Sequence, residues 1–260
     1  MAKTPAGPRK KLIEAGMRLL EEHGVEALNA RRLAAEIGAS TMAVYTHFGG
    51  MAGLYEALGR EAFTRFERYL RRVPDTDDPV ADLLVLGLAY RAFAIANPHR
   101  YRVMFGVVSS SAVPSFGHDL TAEGTPTTLP EMNKAFALLP RAVRRAMDAG
   151  RIRRDDPIAV AGQFWAMMHG YVLLEMTGVF GTGEQGVLTV LGPHTVNLLV
   201  GLGDDRAKAE ESAGRSLHAL EPGGVIPSAA PGSVLSAAPE AATRPGRRPG
   251  SAKRADRAKK

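Results

Sequence analysis

Residues 29 to 48 carry the side chains whose types and spacing best suit recognition chemistry. Arg31 is a long forked donor that can bind guanine O6 and N7 together, a contact worth ~1–3 kcal/mol of base discrimination; a phosphate contact is its alternative. Thr41, Met42 and Ala43 offer one hydroxyl and two apolar surfaces, a set suited to a thymine methyl group. Tyr45 and His47 suit phosphate oxygens, which fix register without reading sequence. Asn29, Ser40 and Thr46 complete the polar set. A second group, Ser109, Ser110, Ser111, His118 and Asp119, contains the residue types of a hydrolase triad. It lacks a Gly-x-Ser-x-Gly elbow and any strand–turn–helix context, which argues against acyl transfer. No His, Asp and Glu cluster has metal-ligand spacing, and the chain contains no cysteine, so thiolate chemistry and disulfides are excluded. No catalytic residue, metal or cofactor is expected.

The elements that must position the first set follow from local chemistry. Asn29 can cap a helix by accepting from the orphan N–H groups of its first turn. Leu33, Ala34 and Ile37 give that helix one apolar face. Gly38 can end it, because glycine enters the left-handed region without a Cβ clash. Ser40 is expected to cap a second helix with Val44 and Phe48 inward. Two short helices about a glycine turn describe a helix-turn-helix, whose second helix enters a DNA major groove. The alternative is a helical hairpin inside some other helical protein. A preceding helix from about Pro8 to Glu22, with Leu12, Ala15, Leu19 and Leu20 inward, would brace the pair.

Leu33-Ala34, Gly38-Ala39-Ser40 and Val44-Tyr45-Thr46-His47-Phe48 together resemble the DNA-binding domain of the TetR/AcrR family of bacterial transcription regulators. The likeness covers residues 9 to 58, and Tyr-x-His-Phe is its most specific part. One residue departs from it. Met51 stands where the family usually has a lysine, which removes one charge contact to phosphate and predicts a shallower salt dependence of DNA binding. Farther along, Trp165-x-x-x-His169-Gly170, with Asn97-Pro98-His99-Arg100-Tyr101 and Met104-Phe105-Gly106, resembles the "WHG" class of C-terminal domains in the same family. The resemblance implies an all-α protein that binds double-stranded DNA, at a palindromic operator, as a homodimer. It also implies a small-molecule effector and a last pair of long helices that forms a four-helix bundle with a second copy.

The rest of the chain is expected to divide as a flexible basic arm (1–8), a helix-turn-helix domain (9–56), a connecting helix to about 73, and a C-terminal domain (74–203). A disordered basic tail (204–260) would follow. Leu54, Leu58, Ala62, Phe66 and Leu70 make one stripe along the connecting helix. Pro140 should interrupt a helix over 128–149, and Pro193 lies inside a last helix over 186–202. Phe66, Tyr90, Tyr101, Met104, Phe105, Trp165, Met168 and His169 are candidates to line an apolar, adaptable ligand cavity, although core packing explains most such residues equally well. Residues 204 to 260 are rich in Ala, Pro, Gly and Ser and poor in large apolar residues, the composition of a segment unable to bury enough surface to fold. Charge is uneven: +4 over residues 1–72, +7 over 243–260 and −5 between them. Basic ends around an acidic middle suit a protein whose N-terminal domain meets phosphate. No segment reads as a signal peptide or lipid span, so a cytoplasmic protein without membrane partners is expected. A DNA binder that activates or that needs no effector remains the alternative.

Overall fold

The computed structural model describes residues 7–106, 130–181 and 184–220, all helical or connecting, with no strand among them. Three helices come first: α1 (Pro8–His23), α2 (Ala30–Glu36) and α3 (Met42–Phe48). α4 (Met51–Leu70) leads out of them into α5 (Pro79–Ala96), α6 (Pro98–Met104), α7 (Pro130–Phe136) and α8 (Leu138–Asp148). α9 (Pro157–Met176), α10 (Gly192–Gly201) and α11 (Arg206–Leu217) complete the bundle. Ser109, Ser110, Ser111, His118 and Asp119 lie outside the described residues.

The prolines act where their missing N–H and ring clash require. The segment before Pro140 breaks at Ala137, between α7 and α8. Pro193 sits at the start of α10, and the five residues before that helix, Val187–Leu191, form a wider π-helical turn. α5 is long and apolar enough by composition to cross a membrane, but two-thirds of it is buried inside the protein. It is the central helix, touched by α4, α6, α8, α9 and α11.

α4 runs through one continuous core. Its first half packs on α1 and α3 and buries Leu54 and Leu58 in the same cluster as Leu12, Leu19, Leu33 and Val44. Its second half adds Phe63, Phe66 and Leu70 to the part of the cluster that holds Leu83, Leu86 and Phe93. The end of α1 is also tied to the C-terminal half. Arg100, buried at the start of α6, ion-pairs with Glu21 of α1 and donates to Asn97 Oδ1 at 2.8 Å. Burial lowers its pKa to about 10, which leaves it charged at neutral pH and in need of that carboxylate.

The expectation of a structureless chain over residues 204–260 is corrected for residues 204–220, and residues 221–260 lie outside the described residues. Residues 206–217 form α11, which lies along α5. Small residues bring it close: Ala209, Ser212 and Ser216 are buried at helical spacing. Charge then secures it. Arg151 donates to both Asp204 oxygens at 3.0 and 2.9 Å and to Asp78 at 3.2 Å, while the Ser212 hydroxyl donates to Asp78 at 2.9 Å. Asp205 caps the helix through the Lys208 N–H at 3.0 Å. Composition misled because these contacts need no large apolar side chain.

Burial by itself would raise the Asp78 pKa, but the Ala81 N–H, the Ser212 hydroxyl, Arg215 and Arg151 outweigh it and hold the carboxyl below its usual value. A depressed carboxylate pKa adds stability above the unfolded value, and that stability is lost as pH falls through the folded one. Unfolding stability should therefore decline on acidification below the ordinary carboxylate range, and Asp78→Asn should flatten that decline. At neutral pH, Arg151→Met strands Asp204, whose side chain is 2% exposed. Denaturant unfolding is expected to show a loss of about 3–5 kcal/mol.

Candidate nucleic-acid interface and ligand cavity

The N-terminal site is built from caps and small residues. The Asn29 side chain accepts from the Arg32 N–H at 2.9 Å, so its oxygen is committed to starting α2. Gly38 ends the turn of α2 with φ +65°. The expected Ser40 cap is replaced: α3 begins at Met42, without a side-chain cap, and Ser40 contributes its carbonyl to the Ala43 N–H at 3.0 Å. Ser40 stays exposed in the turn, where its hydroxyl is not drawn into the helix start. Val44 is fully buried and orients α3. Gly53 fixes the next junction, since a Cβ there would lie 2.0 Å from the Phe48 carbonyl oxygen. Only glycine lets the start of α4 sit that close to the end of α3.

This scaffold leaves a defined outer face. Met42 and Tyr45 are 64% and 54% exposed, large apolar and aromatic surface held out to solvent on a seven-residue helix. Arg31, Thr41 and Thr46 are exposed beside them. Ala43 and His47 are only half-exposed: Ala43 leans on the core, and the His47 ring stands edge-on to Phe48 at 6.5 Å. The sequence did not single out the role of Arg9. Its guanidinium lies 5.2 Å from the centre of the Phe48 ring, a cation–π contact that ties the first turn of α1 to the end of α3.

The C-terminal site is a cavity of about 470 Å³ bounded by α4, α5, α7, α9, α10 and α11. Phe66, Tyr90, Phe105, Trp165 and Met168 line it. Tyr101, Met104 and His169 do not. They stand behind the wall, with Tyr101 and Met104 fully buried. The Tyr90 hydroxyl is 2.8 Å from the Tyr101 hydroxyl and 2.8 Å from His169 Nδ1, and Tyr101 is 2.6 Å from the same nitrogen. Burial pushes the phenols up and the imidazole down, so all three are neutral near pH 7. With its proton on Nε2 the imidazole accepts at Nδ1 from one of the hydroxyls; with the proton on Nδ1 that N–H donates to one of them. The walls that sequence reasoning missed are the turn before α10, with Val187 and Leu191, and the cavity-facing residues of α11, such as Ala213 and Leu217. α11 left no apolar stripe by which to find it.

Residues 12–58 match the sequence model for bacterial regulatory proteins of the tetR family, and residues 83–188 match that for the tetracyclin repressor-like C-terminal domain. The chain belongs to the TetR family. The HTH-type transcriptional repressor AcnR of Corynebacterium glutamicum is 26% identical over 192 residues, which span 72% of this chain and 92% of AcnR. Mycobacterial HTH-type regulators also match, over 61 to 71% of their own length. A solved Rhodococcus sp. RHA1 structure of unknown function is 26% identical with a TM-score of 0.60, covering 78% of this chain and all of that one. RolR, solved with the ligand resorcinol, shares the fold at 16% identity and a TM-score of 0.57, covering 80% of this chain and 93% of RolR. As a TetR-family member, this protein is a DNA-binding transcription regulator with an N-terminal helix-turn-helix and a helical C-terminal domain.

The shared nitrogen behind the cavity makes a further expectation. In Tyr90→Phe or Tyr101→Phe the remaining hydroxyl can still serve His169, so each should cost about 1 kcal/mol of stability. The double variant leaves Nδ1 without a partner and should cost more than the two losses combined, a coupling that a double-mutant cycle by denaturant unfolding would resolve.

Proposed function

We propose that this protein is a repressor that binds a palindromic operator as a homodimer and is released by a small lipophilic effector held in the C-terminal cavity. The observation that carries this reading is one helix, α4, with a DNA-reading face at one end and an apolar cavity at the other. AcnR, named a repressor, and RolR, solved with a small aromatic ligand, support it by likeness. Arg31, Thr41 and Met42 meet base edges and Tyr45, Thr46 and His47 meet phosphates, with Asn29, Ser40 and Ala43 shaping the helix start. For the effector to act, it must bind the DNA-competent and DNA-incompetent arrangements with different affinity. The proposed boundaries are those of a DNA-binding domain to about residue 56 and a ligand-binding and dimerising domain that now extends through α11.

Dimer formation is supported by an uncovered face. α9 is apolar on nearly all sides, yet Ala166 and Leu174 are exposed on it at helical spacing, with half-exposed Gly170 between them. Val179, Leu188 and Val190 add exposed apolar surface next to it. An apolar stripe with small residues fits the close approach of a second copy. One recognition helix reads few base pairs, and a two-fold pair reads two half-sites.

The direct test is selection of DNA from a random library by the purified protein, repeated with Arg31→Ala and Tyr45→Ala. A palindromic consensus is expected. Arg31→Ala should relax base preference at one symmetric position, while Tyr45→Ala should weaken binding several-fold across all sequences. A consensus without two-fold symmetry would count against the dimeric reading, and no enrichment at low salt would end it.

A further inference from the structure

Every hydroxyl that lines the cavity is already spoken for. Thr195 donates to the Leu191 carbonyl at 2.7 Å and Ser216 to the Ala213 carbonyl at 2.7 Å. Tyr90 is engaged with Tyr101 and His169 on its far side. The inner end of the cavity is otherwise aliphatic and aromatic, with Phe63, Phe66, Leu83 and Phe164 among its walls. A ligand that carried a polar group into that end would lose its water and find no free partner there, so such a ligand is disfavoured.

Spare polar capacity is confined to one corner, where α10 meets the first turns of α11. Arg206 donates through Nη2 to Asn197 Oδ1 at 3.1 Å and sits 3.6 Å from the Glu210 carboxylate. Most of its five donors remain open, as does the Asn197 amide. Arg206 and Glu210 are each more than half exposed, so a charged group bound there keeps part of its hydration. Arg206 is also the first residue of α11, at the positive end of a 12-residue helix. A cation at this corner would meet the Glu210 carboxylate but sit against both a guanidinium and that helix end. An anion meets donors that a forked guanidinium presents in carboxylate geometry.

Resting on the effector-site reading above, we infer that the effector is an amphiphilic monocarboxylate: its apolar body fills the cavity and its carboxylate is held at the rim by Arg206 and Asn197. At about 30 Å³ for each water-sized group, the cavity takes an apolar body of roughly ten to fifteen non-hydrogen atoms. α11, beyond the stretch that matches the family's C-terminal domain, thus supplies the head-group site and one wall of the chain site.

Trp165 is the chain's single tryptophan and lines the cavity, so its emission reports occupancy. The experiment titrates decanoate, decanol and decylamine into the full-length protein and into Arg206→Gln and Ala213→Phe at neutral pH. Decanoate should bind the unmodified protein about tenfold more tightly than decanol, with decylamine weakest. Arg206→Gln should bring decanoate to the level of decanol while leaving decanol unchanged. Ala213→Phe, which adds a ring to the cavity wall, should weaken all three. Equal binding of decanoate and decanol, tighter binding of decylamine, or a decanoate preference that survives Arg206→Gln would overturn the head-group assignment alone, provided Ala213→Phe still weakens the probes. No response to any probe would overturn the cavity as an effector site as well.

Discussion

α4 cannot belong to one half of this protein without constraining the other. Leu54 and Leu58 complete the core beneath the recognition helix, and Phe66 and Leu70, on the same stripe, complete the wall of the cavity. The helix is uninterrupted over 20 residues, about 30 Å. Its front end is locked by sterics, because Gly53 lets it press on the Phe48 carbonyl and Gly16 lets Leu58 approach α1. Its rear end is locked by aromatic packing, with Phe66 against Tyr90 and Phe93 at centroid distances of 5.3 and 4.9 Å. The helix-turn-helix and the apolar cavity therefore lie at two ends of one packed element.

The C-terminal half uses polar groups in two ways. Behind the cavity, Tyr90, Tyr101 and His169 satisfy one another and present a dry wall. At α11, Asp78, Arg151, Asp204 and Ser212 bind the helix to α5 by charge and hydrogen bonds where its buried residues, Ala209, Ser212 and Ser216, are small. Removing one partner from such a group leaves a buried charge or an unmet donor, which costs far more than the contact itself supplies. Both clusters consequently specify geometry: one sets the ring positions facing the cavity, the other the distance between α11 and the bundle.

The helix-turn-helix was legible because local rules agree there. A side-chain cap at Asn29, a positive-φ glycine at 38 and an inward Val44 each act over a few residues, and the structure repeats them. Ser40 shows where local rules fall short, since two residues able to cap stand side by side and α3 starts one place later. The long helices were equally legible from their apolar composition and bounding prolines. The cavity wall was half legible. Residue type cannot separate Tyr90, which faces the space, from Tyr101, which stands behind it, because both are buried tyrosines on adjacent helices. α11 was illegible because its partners, Asp78 and Arg151, are distant in sequence and pairing of charge leaves no periodic signature.

A rod of this length would also turn a small tilt at the cavity into a larger displacement at the helix-turn-helix. Leu54 and Phe66 are 12 residues apart along a stiff rod, so a tilt of about 5° pivoting near Phe66 displaces the other end by roughly 1.6 Å. α1 and α3 pack directly on α4, so the rod does not swing alone but takes the first three helices with it as a body, against the restraint of the Arg100–Glu21 pair that fastens the tail of α1 to α6. A displacement of that size is comparable to the tolerance of a hydrogen bond between a side chain and a base edge. In a two-fold assembly it would be applied twice, in opposite senses. The distance between two reading heads is then set by the pitch of two rods whose far ends are seated in side chains around a cavity.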